Sequence, residues 1–263
     1  MPFIEVNDLT MYYELHGQGP NLLHISGSGG DLRQTAPHLH GLNTDFRGLH
    51  YDQRCLGQTT LGDHEPTMFD YADDAAALCA VLGWRHARVV GTSFGGMVAQ
   101  HLAIRHPDLV ERLVLNCTSP GGELASYPLD ELQDVPATER AEMMLALLDT
   151  RYSAGSGDEL DGLEGFTSQL RDGYAQSASA ESAEGFAKQL EARRHHDVTA
   201  GLGLISAPTL VCAGRYDGIA PVANSEAIVS GIAEARLEVF EGGHIFMLQD
   251  PRSLSVTREF LLR

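Results

Sequence analysis

A serine with glycines two residues to either side, Gly91-Thr92-Ser93-Phe94-Gly95, occurs once in the 263 residues of this chain. The pattern alone proves little. Its setting gives it chemistry, because it lies between a strand-like run, Ala87-Arg88-Val89-Val90, and a helical stretch over 94–106. A serine on so sharp a strand-to-helix turn takes a strained backbone, and side chains two positions before or after it would strike neighbouring chain. Glycines at 91 and 95 remove those collisions. The turn lifts the Ser93 hydroxyl to the carboxyl edge of a sheet and puts the Phe94 N–H at a helix N-terminus, where developing negative charge is favoured.

A serine hydroxyl is a weak nucleophile until a base takes its proton, and an imidazole acting as that base needs a carboxylate to fix its tautomer. Of 12 histidines, His244 is the one placed for the task, in the loop Glu241-Gly242-Gly243-His244-Ile245 after the strand-like run Arg236-Leu237-Glu238-Val239-Phe240. Asp217, in Gly214-Arg215-Tyr216-Asp217-Gly218, follows a run ending at Ala213 and emerges at the same edge. His16, His50, His101 and His106 read as ordinary surface or core residues. Asp250 is the next acid past His244, but with Pro251 it reads as the N-cap and first residue of a closing helix.

These side chains meet only if the elements between them stack in register. Strand-like runs at Phe3–Val6, Met11–Leu15, Leu22–Ile25 and Phe46–Tyr51 open the chain, separated by Asn-Asp and Gly-Gln-Gly-Pro turn signals. A helical repeat over 68–83 follows, with Tyr71, Ala75, Leu78, Cys79 and Leu82 on one face, and Glu111–Asn116 continues the alternation after the serine turn. It returns at Pro208–Ala213, a helix over 222–232, Arg236–Phe240 and the closing helix. The expected fold is α/β: a mostly parallel sheet of about eight strands with helices on both faces and ligands at the carboxyl ends of the strands.

Residues 122–200 break that rhythm with little strand signal and helical segments at Glu139–Leu148 and Ala183–Arg194. They read as an insertion, leaving 1–121 and 201–263 as the core domain, with a flexible loop expected at Ser153–Gly157. The insertion holds 16 acidic and 6 basic residues, a net of −10 out of the chain's −18. Such a field opposes a dianionic substrate unless Arg140, Arg151, Arg171, Arg193 or Arg194 faces inward.

With 18 basic against 36 acidic residues there is no basic stripe for nucleic acid. No apolar run approaches the roughly 20 residues needed to span a bilayer. The opening residues carry neither a basic nor an apolar leader segment, which reads as cytoplasmic. Cys55, Cys79, Cys117 and Cys212 form no Cys-x-x-Cys pair and read as reduced, mostly buried thiols. His38-Leu39-His40 and His195-His196 lack nearby carboxylate or cysteine partners at ligand spacing, so no metal is expected, and no phosphate-loop or dinucleotide pattern calls for a cofactor.

The order Ser93, Asp217, His244, the elbow continuation Gly95-Gly96-Met97-Val98-Ala99-Gln100 and the stretch Tyr51-Asp52-Gln53-Arg54-Cys55-Leu56-Gly57-Gln58 resemble an α/β-hydrolase fold protein over nearly the whole chain outside 122–200. The resemblance implies that 122–200 is a helical cap over the site. Ser26-Gly27-Ser28-Gly29-Gly30 stands where similar proteins carry His-Gly, so the Ser28 N–H is expected to join that of Phe94 as an oxyanion donor. The Ser26 form resembles the 3-oxoadipate enol-lactonase branch. A serine rather than a carboxylate at position 93 argues against alkyl-halide chemistry. The expectation is a cofactor-free serine hydrolase of a small carboxylic ester or lactone. A carbon-carbon bond hydrolase using the same triad and a small-molecule receptor on the same fold stay open, as does assembly into a homo-oligomer.

Overall fold

Neighbouring residues of each inner strand go to opposite faces of one sheet, and that alternation builds the molecule. The computed structural model describes residues 2–33, 40–153, 165, 167–168 and 180–263. Eight strands, β1 (Phe3–Val6), β2 (Leu9–His16), β3 (Asn21–Ile25), β4 (Arg47–Tyr51), β5 (Ala87–Thr92), β6 (Val110–Asn116), β7 (Thr209–Gly214) and β8 (Ala235–Phe240), lie in the order β1-β2-β4-β3-β5-β6-β7-β8. The β1–β2 and β2–β4 pairs are antiparallel; all others are parallel.

Leu23, Val89, Leu113 and Val211 pack on one face, against α1 (Met68–Val81), α2 (Phe94–Arg105) and α5 (Val222–Gly231). Leu22, Val90, Val114 and Leu210 pack on the other, against α6 (Phe246–Gln249) and α7 (Arg252–Leu262) through Phe246, Phe260 and Leu261. Strands covered on both faces have no solvent side, which is why β5 and β7 read as apolar runs rather than alternating ones.

The chain leaves β3 to place β4 on one side of it and β5 on the other. Loops leaving the carboxyl ends of β3 and β5 therefore diverge and open a crevice, the usual ligand position in such sheets. The stretch after β4 is pinned by Arg54, buried against Asp74 of α1 at 2.6 Å and reaching Asp8 at 3.0 Å.

The closing helix differs by one residue from the sequence expectation. It runs from Arg252, with Pro251 already at helical angles (φ −64°, ψ −15°), and the Asp250 carboxylate accepts the Arg252 N–H at 3.0 Å. The capping role is as expected and the boundary shift is of the ordinary size. Helix α6, a single turn, had no sequence signal.

Between β6 and β7 stand α3 (Ala137–Leu148) and α4 (Ala180–Arg194). The outgoing and returning chains meet where Gly121 bridges Asp197 and Val198 N–H donates to Pro120 O. Arg171 and, Ser153 apart, the loop expected at Ser153–Gly157 lie outside the described residues. The four cysteines are buried and free.

Candidate active site

Strand β5 ends at Thr92 and α2 begins at Phe94, so Ser93 alone makes the turn, at φ 55° and ψ −116°. That conformation is costly for a residue with a side chain and persists only when neighbours over-determine it. Here they do. The Ser93 N–H donates to Asn116 O at 2.8 Å, and its carbonyl accepts the Thr118 hydroxyl at 2.8 Å and the Gly96 N–H at 2.9 Å. The two glycines are required as expected: a Cβ on Gly95 would run into the Ile25 carbonyl, and one on Gly91 into the Gly95 carbonyl.

His244 lies between serine and acid. Its Nε2 is 3.0 Å from Ser93 Oγ and its Nδ1 is 2.8 Å from Asp217 Oδ2. The other Asp217 oxygen accepts the N–H groups of Ile219 and Ala220, each at 2.8 Å, which fixes the carboxylate plane. A carboxylate accepts only, so Nδ1 carries the proton and Nε2 is left as the acceptor for the serine hydroxyl. Asp217 and His244 are buried, while Ser93 is half-exposed. The three side chains proposed from sequence are thus brought into one hydrogen-bonded line.

The end of α3 braces the imidazole from outside. Leu148 O accepts the His244 N–H at 2.6 Å, and Gln249 links Asp149 Oδ2 at 2.9 Å to the Gly243 N–H at 2.8 Å. Burial would raise the Asp149 pKa, but Arg151 on both of its oxygens holds it below the usual carboxylate range. Asp250, the alternative acid, accepts the Glu241 N–H at 3.1 Å and pairs with Arg252, which lowers its pKa to about 2; its carboxylate is engaged there and not with His244.

The Ser26–Gly30 loop comes against the turn: a Cβ on Gly27 would sit 3.5 Å from Ser93 Cβ. Gln53 Nε2 donates to Ser26 O at 2.9 Å, and Gly30 N–H closes the loop onto Gly27 O at 3.4 Å. Gly29, at φ 71°, donates its N–H to Gln189 Oε1 of α4 at 2.8 Å. The Phe94 N–H, first of α2, is among the donors a helix leaves without an internal acceptor. Sequence reasoning missed Gln189, Gln249 and Asp149, since amide and acid side chains acting across 100 or more residues carry no local motif.

Four of the other described histidines, His24, His50, His101 and His196, pack or hydrogen-bond within the fold. His101 Nε2 is 3.1 Å from His196 Nδ1, whose Nε2 meets Ser119 O at 3.0 Å, and burial lowers their pKa values to about 3 and about 4. His24 stacks on His50 at 4.2 Å beside a cavity of about 510 Å³ that none of Ser93, Asp217 or His244 lines. His195 corrects the expectation that it lacks a carboxylate neighbour: Glu191, one turn earlier, is 3.1 Å away on the exposed face. Among the described residues no group of three or more His, Cys, Asp or Glu could hold a metal ion, and His38 lies outside them.

Of the arginine candidates, Arg151 pairs with Asp149 and Arg194 with Asp130. Arg193 is buried, and it donates to Ser126 Oγ at 2.8 Å and Tyr127 O at 2.7 Å with no carboxylate partner among the described residues; burial lowers its pKa to about 10.

Comparison with known proteins places the fold. A sequence profile describing the alpha/beta hydrolase fold matches residues 20–251. A putative carbamate hydrolase, RutD, of Agrobacterium fabrum is 27% identical over 92% of this chain and 94% of its own. The 3-oxoadipate enol-lactonase 2 of Acinetobacter baylyi is 24% identical over 99% and 96%. The solved enol-lactonase of Burkholderia xenovorans superposes with a TM-score of 0.83 at 24% identity, covering 100% of both chains.

Proposed function

Since the chain belongs to the alpha/beta hydrolase fold family, we propose that it is a serine hydrolase of a small carboxylic ester or lactone, working through an acyl-enzyme, of the branch that includes 3-oxoadipate enol-lactonase. The observation that carries the proposal is the line Ser93–His244–Asp217, at 3.0 and 2.8 Å, on a backbone held in strain.

Ser93 Oγ attacks the carbonyl carbon while its proton passes to His244 Nε2. Asp217 holds the tautomer and balances the imidazolium charge. The carbonyl oxygen, now anionic, lies between the N–H groups of Phe94 and Ser28, donors fixed before the charge appears. Collapse breaks the bond to the leaving oxygen, which takes the proton from His244. Water then attacks the Ser93 ester by the same route and releases the acid. Water is the only co-reactant the cycle needs.

Residues 122–200 act as the cap. The end of α3 braces the His244 loop and α4 touches the Ser28 loop, so the segment flanks the site on two sides. The four buried free thiols fit a reducing compartment such as the cytoplasm.

The test is a substrate panel of p-nitrophenyl esters, five- and six-membered lactones, amides and vinylogous diketones, run with wild type and Ser93→Ala. Multiple turnover on esters or lactones, lost in Ser93→Ala, supports the proposal. Turnover confined to diketones favours carbon-carbon bond hydrolysis, and one slow turnover with a large rise in Tm favours a receptor.

A further inference from the structure

Gln189 is fully buried on α4, 160 residues from the loop it touches. Its Oε1 accepts the Gly29 N–H at 2.8 Å, while its Nε2 is buried with no partner. An orphaned amide nitrogen costs about as much as one good hydrogen bond gains, so this side chain contributes little net stability. Its effect is on geometry.

The Gly29 N–H belongs to the peptide that joins Ser28 to Gly29, and holding that peptide plane fixes the ψ of Ser28. The approach of the two elements is built for this bond. Gly185 has no room for a Cβ against the Cys55 carbonyl, and the Phe186 ring lies 3.2 Å from where a Gly29 Cβ would stand. Helix α4 therefore seats directly on the loop. Gln53 holds the loop's start at Ser26, and the Gly30–Gly27 bond closes it internally. Among the described residues, Gln189 is the one side chain of the inserted segment hydrogen-bonded to the loop backbone.

We infer that Gln189 is a positioning residue: it clamps the Ser26–Gly30 loop so that the Ser28 N–H is aimed at the developing oxyanion, making α4 part of the catalytic frame. This rests on the serine-hydrolase reading above. A donor that is pre-aimed costs no reorganisation when the charge forms, so the clamp acts on the transition state and not on substrate binding.

Gln189→Met keeps the volume and removes the acceptor. With p-nitrophenyl butyrate, kcat should fall about 10- to 100-fold, less than the 10²–10³ for losing a donor outright, with KM and Tm unchanged. A trifluoromethyl ketone reports the hole directly: Ser93 Oγ bonds to its carbonyl carbon, the serine proton moves to His244 Nε2, and the former carbonyl oxygen becomes the bound oxyanion. Its inhibition constant should weaken by the same factor as kcat/KM. Gln189→Glu, which retains an acceptor oxygen, should recover most of that loss. Wild-type inhibition in Gln189→Met, or Gln189→Glu as impaired as Gln189→Met, overturns the clamp. Retained activity in Ser93→Ala would instead overturn the underlying reading.

Discussion

Replacing Asp217 by asparagine changes one oxygen to nitrogen, and the surroundings of Asp217 decide which way the amide must face. Oδ1 accepts two backbone N–H groups, from Ile219 and Ala220, in a buried setting. An amide that kept its oxygen there would present its NH2 to His244 Nδ1. That nitrogen would then have to accept, moving the imidazole proton to Nε2, where it faces Ser93 and cannot take the hydroxyl proton. Turning the amide over would restore the working tautomer only by aiming an NH2 at two N–H donors. Leaving each of those buried donors unpaired costs about 1–3 kcal/mol, so the non-productive arrangement is preferred by about 2–6 kcal/mol. At a midpoint of about 4 kcal/mol the productive tautomer is populated about 10³-fold less. Loss of the carboxylate's attraction for the imidazolium brings the expected fall in kcat to about 10⁴-fold, the size that the same aspartate-to-asparagine change has in a serine protease triad. Initial rates on the best ester of the panel, with circular dichroism melts to verify folding, measure it. An Asp217→Asn enzyme within tenfold of wild type would refute the tautomer argument and point to a different acid.

Gly95→Ala should lose about 1–3 kcal/mol of stability, read from urea midpoints, and displace Ser93, because its methyl would meet the Ile25 and Ser26 carbonyls. Acid should destabilise the fold well above the carboxylate range. Burial holds His50 and His101 at about 3 and His196 at about 4, below the unfolded value of 6.5. The unfolded chain therefore binds more protons as pH falls through 6.5, and each group removes about 1 kcal/mol by pH 5.5. Equal urea midpoints at pH 7.5 and 5.5 would contradict this. The net of −10 on residues 122–200 should make kcat/KM for a carboxylate-bearing ester rise as salt goes from about 0.01 to 0.15 M, with its neutral methyl ester nearly flat. A fall with salt would instead mark the buried Arg193, hydrogen-bonded to neutral oxygens, as an inward anchor.

What the sequence carries is what local sterics and periodicity encode. The Ser93 turn is legible because only glycine fits at 91 and 95, and the apolar runs of β5 and β7 are legible because both faces are covered. The order of nucleophile, acid and base follows from which strand each loop leaves. Contacts across the fold are not encoded that way. Gln189 reaching Gly29 and Gln249 reaching Asp149 are ordinary glutamines until the packing brings them together. The choice of Arg193 over Arg194 is likewise a matter of helix phase: one is buried and the other pairs with Asp130 at the surface. The single turn α6 has four residues, too few for a period to register.

The central claim is that Ser93 is an activated nucleophile, and a fluorophosphonate tests it most directly. The probe loses fluoride to the serine oxygen, so intact-protein mass spectrometry should show one stoichiometric adduct and peptide mapping should place it on Ser93. Ser93→Ala should take up no label and lose turnover by on the order of a millionfold, as a nucleophile knockout does in serine proteases. An adduct on another residue, or a tenth of wild-type turnover in Ser93→Ala, would contradict the account.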